Sequence, residues 1–202
     1  MRRSSIVAIL ATLLLTGPAW AGTLVDVEDN TFSPDSVSLA PGDGVTWDWV
    51  GTNNLHNVRQ DKKLFYSGNA TSNSNTSFTR TLSAGTFHYY CEIHGTTAGG
   101  MDGIVRVKPG ADAAPAGNNF TVTWATSGSN TGNVFDVQYK VGTGDWTTWK
   151  TDTSQVSDVF GDGGDPVNVQ AGTKYSFRAR SQKSDDANSK VSDWSPRKSF
   201  TP

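Results

Sequence analysis

The chain carries one cysteine, Cys91, and three histidines. Cys91 and His94 have two residues between them in the run Tyr89-Tyr-Cys-Glu-Ile-His94, and Met101 follows on the far side of a glycine-rich stretch. A further histidine, His56, sits upstream in Leu55-His-Asn-Val58. Thiolate suits Cu(I), imidazole suits both copper oxidation states, and a weak thioether tunes the potential without locking the geometry. One thiolate, two imidazoles and one thioether are the donor set of a copper site made for single-electron exchange.

Each of these residues also has an ordinary reading. A lone buried Cys is commonly an inert small hydrophobe, and a Met after glycines is commonly packing material. The four together, at the ends of adjacent segments, favour the metal. Zinc is the competing ion, but a structural zinc site calls for a fourth strong ligand, and thioether is a poor one. The third histidine, His88, alternates with Phe87, Tyr89 and Cys91 on a strand pattern, so it faces the other way and is expected at the surface. With only His88 left over, the chain is too poor in histidine for the extra copper cluster of an oxygen-reducing oxidase. No Ser-His-Asp arrangement or nucleophile elbow appears, so no enzyme is expected.

Strands and turns must position these ligands. Val37-Ser-Leu39 leads through Pro41-Gly-Asp-Gly44 into Val45-Thr-Trp-Asp-Trp-Val50, with apolar residues at alternate positions. Ser77 to Leu82 and Thr86 to Cys91 continue the pattern, and Gly99 to Gly103 turns the chain into Ile104-Val-Arg-Val107. Asn69 to Asn75 reads as a polar loop. There is no useful run of helical period, so the expectation is all-β, with short strands forming a sandwich. Residues 109–118, rich in Ala, Pro and Gly, read as a linker. Beyond it the alternation resumes in Phe120 to Trp124, Val134 to Lys140 and Lys174 to Arg180.

Residues 22–108 resemble the cupredoxin family, on its plastocyanin and pseudoazurin side. The resemblance is carried by Phe32-Ser-Pro34, Pro41-Gly-Asp-Gly-Val-Thr-Trp47, His56-Asn-Val58, Ala84-Gly-Thr-Phe87, Tyr90-Cys91, His94-Gly95 and Gly100-Met-Asp-Gly-Ile-Val105, in the family's order. It implies a Greek-key β-sandwich holding one type 1 copper ion. His56, Cys91 and His94 would be the equatorial ligands and Met101 the axial one. The resemblance also implies that Asn57 ties the two ligand loops together. It makes His94 the ligand nearest solvent, and Tyr90 part of a second electron route. One departure stands out: six residues separate His94 from Met101, more than in plastocyanins.

Residues 119–202 resemble a fibronectin type III domain, an immunoglobulin-like sandwich. Trp124, Phe135-Asp-Val-Gln-Tyr139, Ala171 to Arg180 and Ser192-Asp-Trp-Ser-Pro196 carry that likeness. Arg178 and Arg180 share the outer face of their strand, where they are placed to stack on Trp194. No metal or catalytic set appears here. A spacer or docking module is expected, with a protein or carbohydrate partner conceivable through Trp146 and Trp149.

Composition and charge bound the rest. Seven Trp, nine Phe and five Tyr in 202 residues supply core material that a disordered chain lacks. With 17 basic and 19 acidic residues the net charge is −2, and a nucleic-acid binder would show a basic excess. Arg2 and Arg3, the apolar run Ile6–Leu15 and the Ala19-Trp-Ala21 site read as a signal peptide over residues 1–21. The run is too short to span a bilayer, which takes about 20 apolar residues. Export to the periplasm or beyond the cell is expected. The function expected is electron transfer between protein redox partners docking near His94. Copper delivery, or adhesion through the second domain, are the alternatives.

Overall fold

The computed structural model describes residues 22–96, 98–113, 119–130, 132–161, 164–165, 167–185 and 190–202; the expected signal peptide lies outside them. Among the described residues every regular element is a strand, and no helix is long and apolar enough to cross a membrane.

The first sandwich is built from β1 (Thr23–Glu28), β2 (Thr31–Ser33), β3 (Ser36–Leu39), β4 (Gly44–Trp49), β5 (Arg59–Gln60), β6 (Ser77–Thr81), β7 (Gly85–Thr96) and β8 (Gly99–Val107). One sheet runs β2-β1-β4-β6 and the other β3-β8-β7-β5. Each contains one parallel pair, β1 with β4 and β3 with β8, so the chain crosses between sheets rather than meandering. Period-two alternation decides which side chains meet between the layers. On β4, Val45, Trp47 and Trp49 point inward; on β7, Phe87, Tyr89 and Cys91 do, while His88 lies on the exposed face as expected. Burying each large apolar side chain of this kind contributes roughly 1.5–3 kcal/mol.

Tyr89 shows how tightly this core is fitted. Its ring packs edge-on against Trp47 and Phe32, and it pairs across the sheet with Gly103. A Cβ on Gly103 would lie 2.9 Å from the Asp35 carbonyl oxygen and closer still to the tip of the Tyr89 ring. The buried Tyr89 hydroxyl makes no well-formed hydrogen bond, and at most a weak one from the Trp47 indole. Two unequal outcomes are therefore expected in thermal or urea unfolding. Gly103→Ala overpacks the site and costs about 1–3 kcal/mol. Tyr89→Phe removes a group that gains little and changes stability by less than about 1 kcal/mol. A Tyr89→Phe loss as large as that of Gly103→Ala would show that the hydroxyl is satisfied.

The second sandwich sets β9 (Gly110–Ala113), β10 (Phe120–Thr123) and β13 (Ser157–Phe160) against β11 (Asn133–Val141), β12 (Thr147–Thr153), β14 (Tyr175–Lys183) and β15 (Lys198–Phe200). Phe120, Phe160, Tyr175 and Phe177 form its aromatic centre, with Trp149 packed edge-on against Phe160. Trp149 is thus core material rather than a free platform. On the outer face Arg178 lies between the Trp146 and Trp194 rings at 4.4 and 4.7 Å, and Arg180 covers Trp194 at 4.9 Å, the stacking expected from the alternation. Gly110–Ala113, within the stretch expected as a linker, pairs antiparallel with β10 and buries Ala111. Small residues with no alternation give this pairing no strong sequence signal. Residues 114–118 of that stretch lie outside the described residues.

The two sandwiches meet at the start of β7. Thr86 and Asp193 exchange a pair of backbone hydrogen bonds at 3.0 Å, the Ala84 N–H donates to the Trp124 carbonyl, and Ser83 donates to the Ser129 carbonyl. Ala84 belongs to the core of the second sandwich. Gly85 is bare because a Cβ there would come within 2.5 Å of the Ser192 hydroxyl. At about 3.3 Å per residue, Cys91 lies about 20 Å from Gly85 along the same strand. The second sandwich therefore holds the end of β7 remote from the cysteine.

Candidate metal centre

The strand carrying Cys91 runs on through His94, rather than ending at the cysteine as the alternation suggests. Its pairing with β8 is broken in the middle. Tyr90 pairs with Asp102 and Gly95 with Gly100, so Cys91–His94 on one strand stand opposite Met101 alone on the other. A bulge of this kind bends its strand and re-aims its side chains. Here it turns both Cys91 and His94 toward one point.

His56 reaches that point from the other side. Its backbone N–H and carbonyl both bond to Thr71 at 2.9 Å, and the Trp49 indole donates to the His56 carbonyl at 3.2 Å. The ring is fully buried. The ligand atoms His56 Nδ1, Cys91 Sγ and His94 Nδ1 lie within 4.8 Å of one another. Nδ1 to Nδ1 is 3.1 Å, and each nitrogen is 3.8 Å from the sulfur. An ion about 2.0 Å from each nitrogen and about 2.3 Å from the sulfur would see angles of about 100° and 120° between these donors, an arrangement close to trigonal. The donor set fits a copper ion, as the sequence implies. Met101, the fourth expected ligand, is 1% exposed, belongs to the same buried cluster as Cys91 and stands opposite the bulge on the adjoining strand.

Asn57 joins the two ligand segments. Its Oδ1 accepts the Glu92 N–H at 2.9 Å, and its Nδ2 donates to Glu92 Oε2 at 2.8 Å. This is the tie between loops that the resemblance implies. Glu92 is also bonded by Arg59, whose guanidinium stacks on Tyr66. Desolvation, the largest single effect, pushes the Glu92 carboxyl up, but hydrogen bonds from Asn57, Arg59 and Tyr66 and the charge of Arg59 together outweigh it and hold the carboxyl below its usual range. Burial pulls His56 below the ordinary imidazole range, which keeps it a neutral ligand.

Asp29 is the site residue that sequence reasoning missed. Its Oδ1 lies 3.3 Å from His56 Nε2 and accepts the backbone N–H groups of Asn53 and Asn54, each at 3.0 Å. The Asn54 bond leads the effects that lower its pKa to about 2, so it is a carboxylate. Nothing local marks it, because it stands 27 residues before the histidine. His94 is half-buried, and the apolar side chains beside two ligands, Leu55 and Ile93, are 52% and 53% exposed.

No family model and no curated protein matches the chain. Among solved structures, a mutant plastocyanin of fern is similar at 23% identity and a TM-score of 0.36, over 42% of this chain and 99% of that one. An oxidized amicyanin mutant matches at 22% identity and a TM-score of 0.35, covering 42% and 80%. A purple cupredoxin from Nitrosopumilus maritimus matches at 22% identity and a TM-score of 0.34, covering 42% and 98%. The chemistry rests on the donor atoms and not on these likenesses.

Proposed function

We infer that the chain is an exported carrier of single electrons, holding one type 1 copper ion through His56, Cys91, His94 and Met101. The observation that carries this reading is the convergence of two imidazole nitrogens and one thiol sulfur in a buried, nearly trigonal set. When bound, the ion supplies the one-electron couple. The protein's part is to hold the donors fixed. His56 is pinned by Thr71 and Trp49, and the bulge holds Cys91 and His94 between two paired points of the sheet. A site that hardly moves between oxidation states exchanges electrons quickly.

His94 is the exit toward a protein redox partner, and its partial exposure between Leu55 and Ile93 supports docking there. The second sandwich, read as fibronectin type III-like, grips the remote end of β7, while Leu55 and Ile93 stay exposed at the His94 end. It serves as a spacer or docks the copper domain on a further partner. The reading is of a carrier, not an enzyme.

Titration of the purified protein with Cu(II) tests the reading. An intense blue band saturating at one copper per chain and bleached by ascorbate is expected, with reversible voltammetry. Absence of the band removes the copper assignment; a band with irreversible voltammetry leaves a reservoir rather than a relay. Met101→Leu should keep the band and raise the potential, because losing a weak donor disfavours Cu(II) more than Cu(I). An unchanged potential would remove Met101 from the ligand set.

A further inference from the structure

We propose that Asp29 is a positioning residue that fixes the ring tautomer of His56 and biases the site toward the oxidised ion. The proposal rests on the copper reading above and deepens it. An imidazole can offer Nδ1 to a metal only if Nε2 carries the proton, and that choice is set by what the other nitrogen meets. The His56 ring has Nδ1 toward Cys91 and His94, and Nε2 toward Asp29 Oδ1 at 3.3 Å. A carboxylate only accepts, so it selects the Nε2–H form and leaves the Nδ1 lone pair free.

Asp29 is itself held in place. Asn53 and Asn54 donate their backbone N–H groups to Oδ1, and the Asn53 side chain donates to Oδ2 at 3.2 Å. These bonds fasten the loop that leads into His56 and aim the carboxylate at the ring. His94 has no comparable carboxylate partner among the described residues. The arrangement is therefore lopsided: the buried ligand is backed by a fixed negative charge and the half-buried one is not. A negative charge one ring away from the ion favours Cu(II) over Cu(I), and it makes the imidazole a stronger donor.

Two measurements test this. The first is the imidazole 15N spectrum of the metal-free protein, with His56 assigned by comparison with His56→Gln. A predominant Nε2–H tautomer is expected in the wild type, and a mixed population in Asp29→Leu. The second is the preference for Cu(II) over Cu(I) in Asp29→Asn, which keeps the shape and an acceptor oxygen but loses the charge. That preference should fall about tenfold, which is 59 mV for one electron. A mixed tautomer in the wild type, or an unchanged copper preference in Asp29→Asn with the blue band intact, overturns the proposal. A wild-type protein that takes up no copper overturns the copper reading instead, and the 15N spectrum, recorded without metal, tells the two failures apart.

Discussion

Cys91→Ser is expected to abolish the blue band and leave a chain that still folds. Sulfur is the only soft anionic donor among His56, Cys91 and His94, and the band arises from charge transfer between thiolate and copper. Loss of a residue that merely orients a ligand weakens metal binding about 10–100-fold, so loss of a direct ligand should exceed that range. The fold should survive because the substitution is nearly isosteric and the new hydroxyl does not stand alone. Both Nδ1 atoms lie 3.8 Å from the sulfur, close enough for small adjustments to satisfy a buried O–H. The checks are absorbance under copper titration and the melting curve of the metal-free protein. A band that persisted in Cys91→Ser would refute the ligand set outright.

Gly95→Ala carries the second large effect, and it acts through the backbone. Gly95 pairs with Gly100 to close the bulge that presents Cys91 and His94. A Cβ on Gly95 would lie 2.8 Å from the Met101 carbonyl carbon and closer still to its oxygen. Those atoms belong to the paired strand and cannot rotate aside, so β7 and β8 must part at the metal end. Gly100 answers from the other strand: its φ is +97°, and a Cβ there would meet the His94 carbonyl oxygen at 2.6 Å. Overpacking of this kind costs about 1–3 kcal/mol. The strain falls between His94 and Met101, so copper affinity and the blue band should change along with the melting temperature. Gly128→Ala is the matched control, because nothing lies within 4 Å of a Cβ at that position. Equal behaviour of the two variants would show that the bulge tolerates opening.

The six-residue spacing from His94 to Met101 gains its meaning here. Thr96 pairs with Gly99, so the β7–β8 pairing resumes beyond Cys91–His94. Met101 stands opposite the bulge all the same.

What the sequence determined by itself is whatever follows from local period and residue chemistry. Alternation places Phe87, Tyr89 and Cys91 inside and His88 outside, and it sets Arg178 and Arg180 on one face for the Trp194 stack. Donor types and their placement at the ends of adjacent segments pick out His56, Cys91, His94 and Met101, with alternation turning the remaining histidine, His88, outward. The tertiary structure decided the rest. The bulge at Cys91–His94 exists only as a mismatch between two strands, and one strand's residues do not record where its partner's hydrogen bonds fall. Asp29 becomes part of the site only when β1, β2 and the loop before His56 are folded together. The clamp at Ala84–Thr86 likewise depends on partners from Trp124, 40 residues later, to Asp193 and Trp194, more than 100 residues later, which no short window of sequence contains. Alternation is a property of each strand's own backbone, whereas register, bulges and long-range hydrogen bonds are properties of pairs of segments, fixed by loop closure and packing.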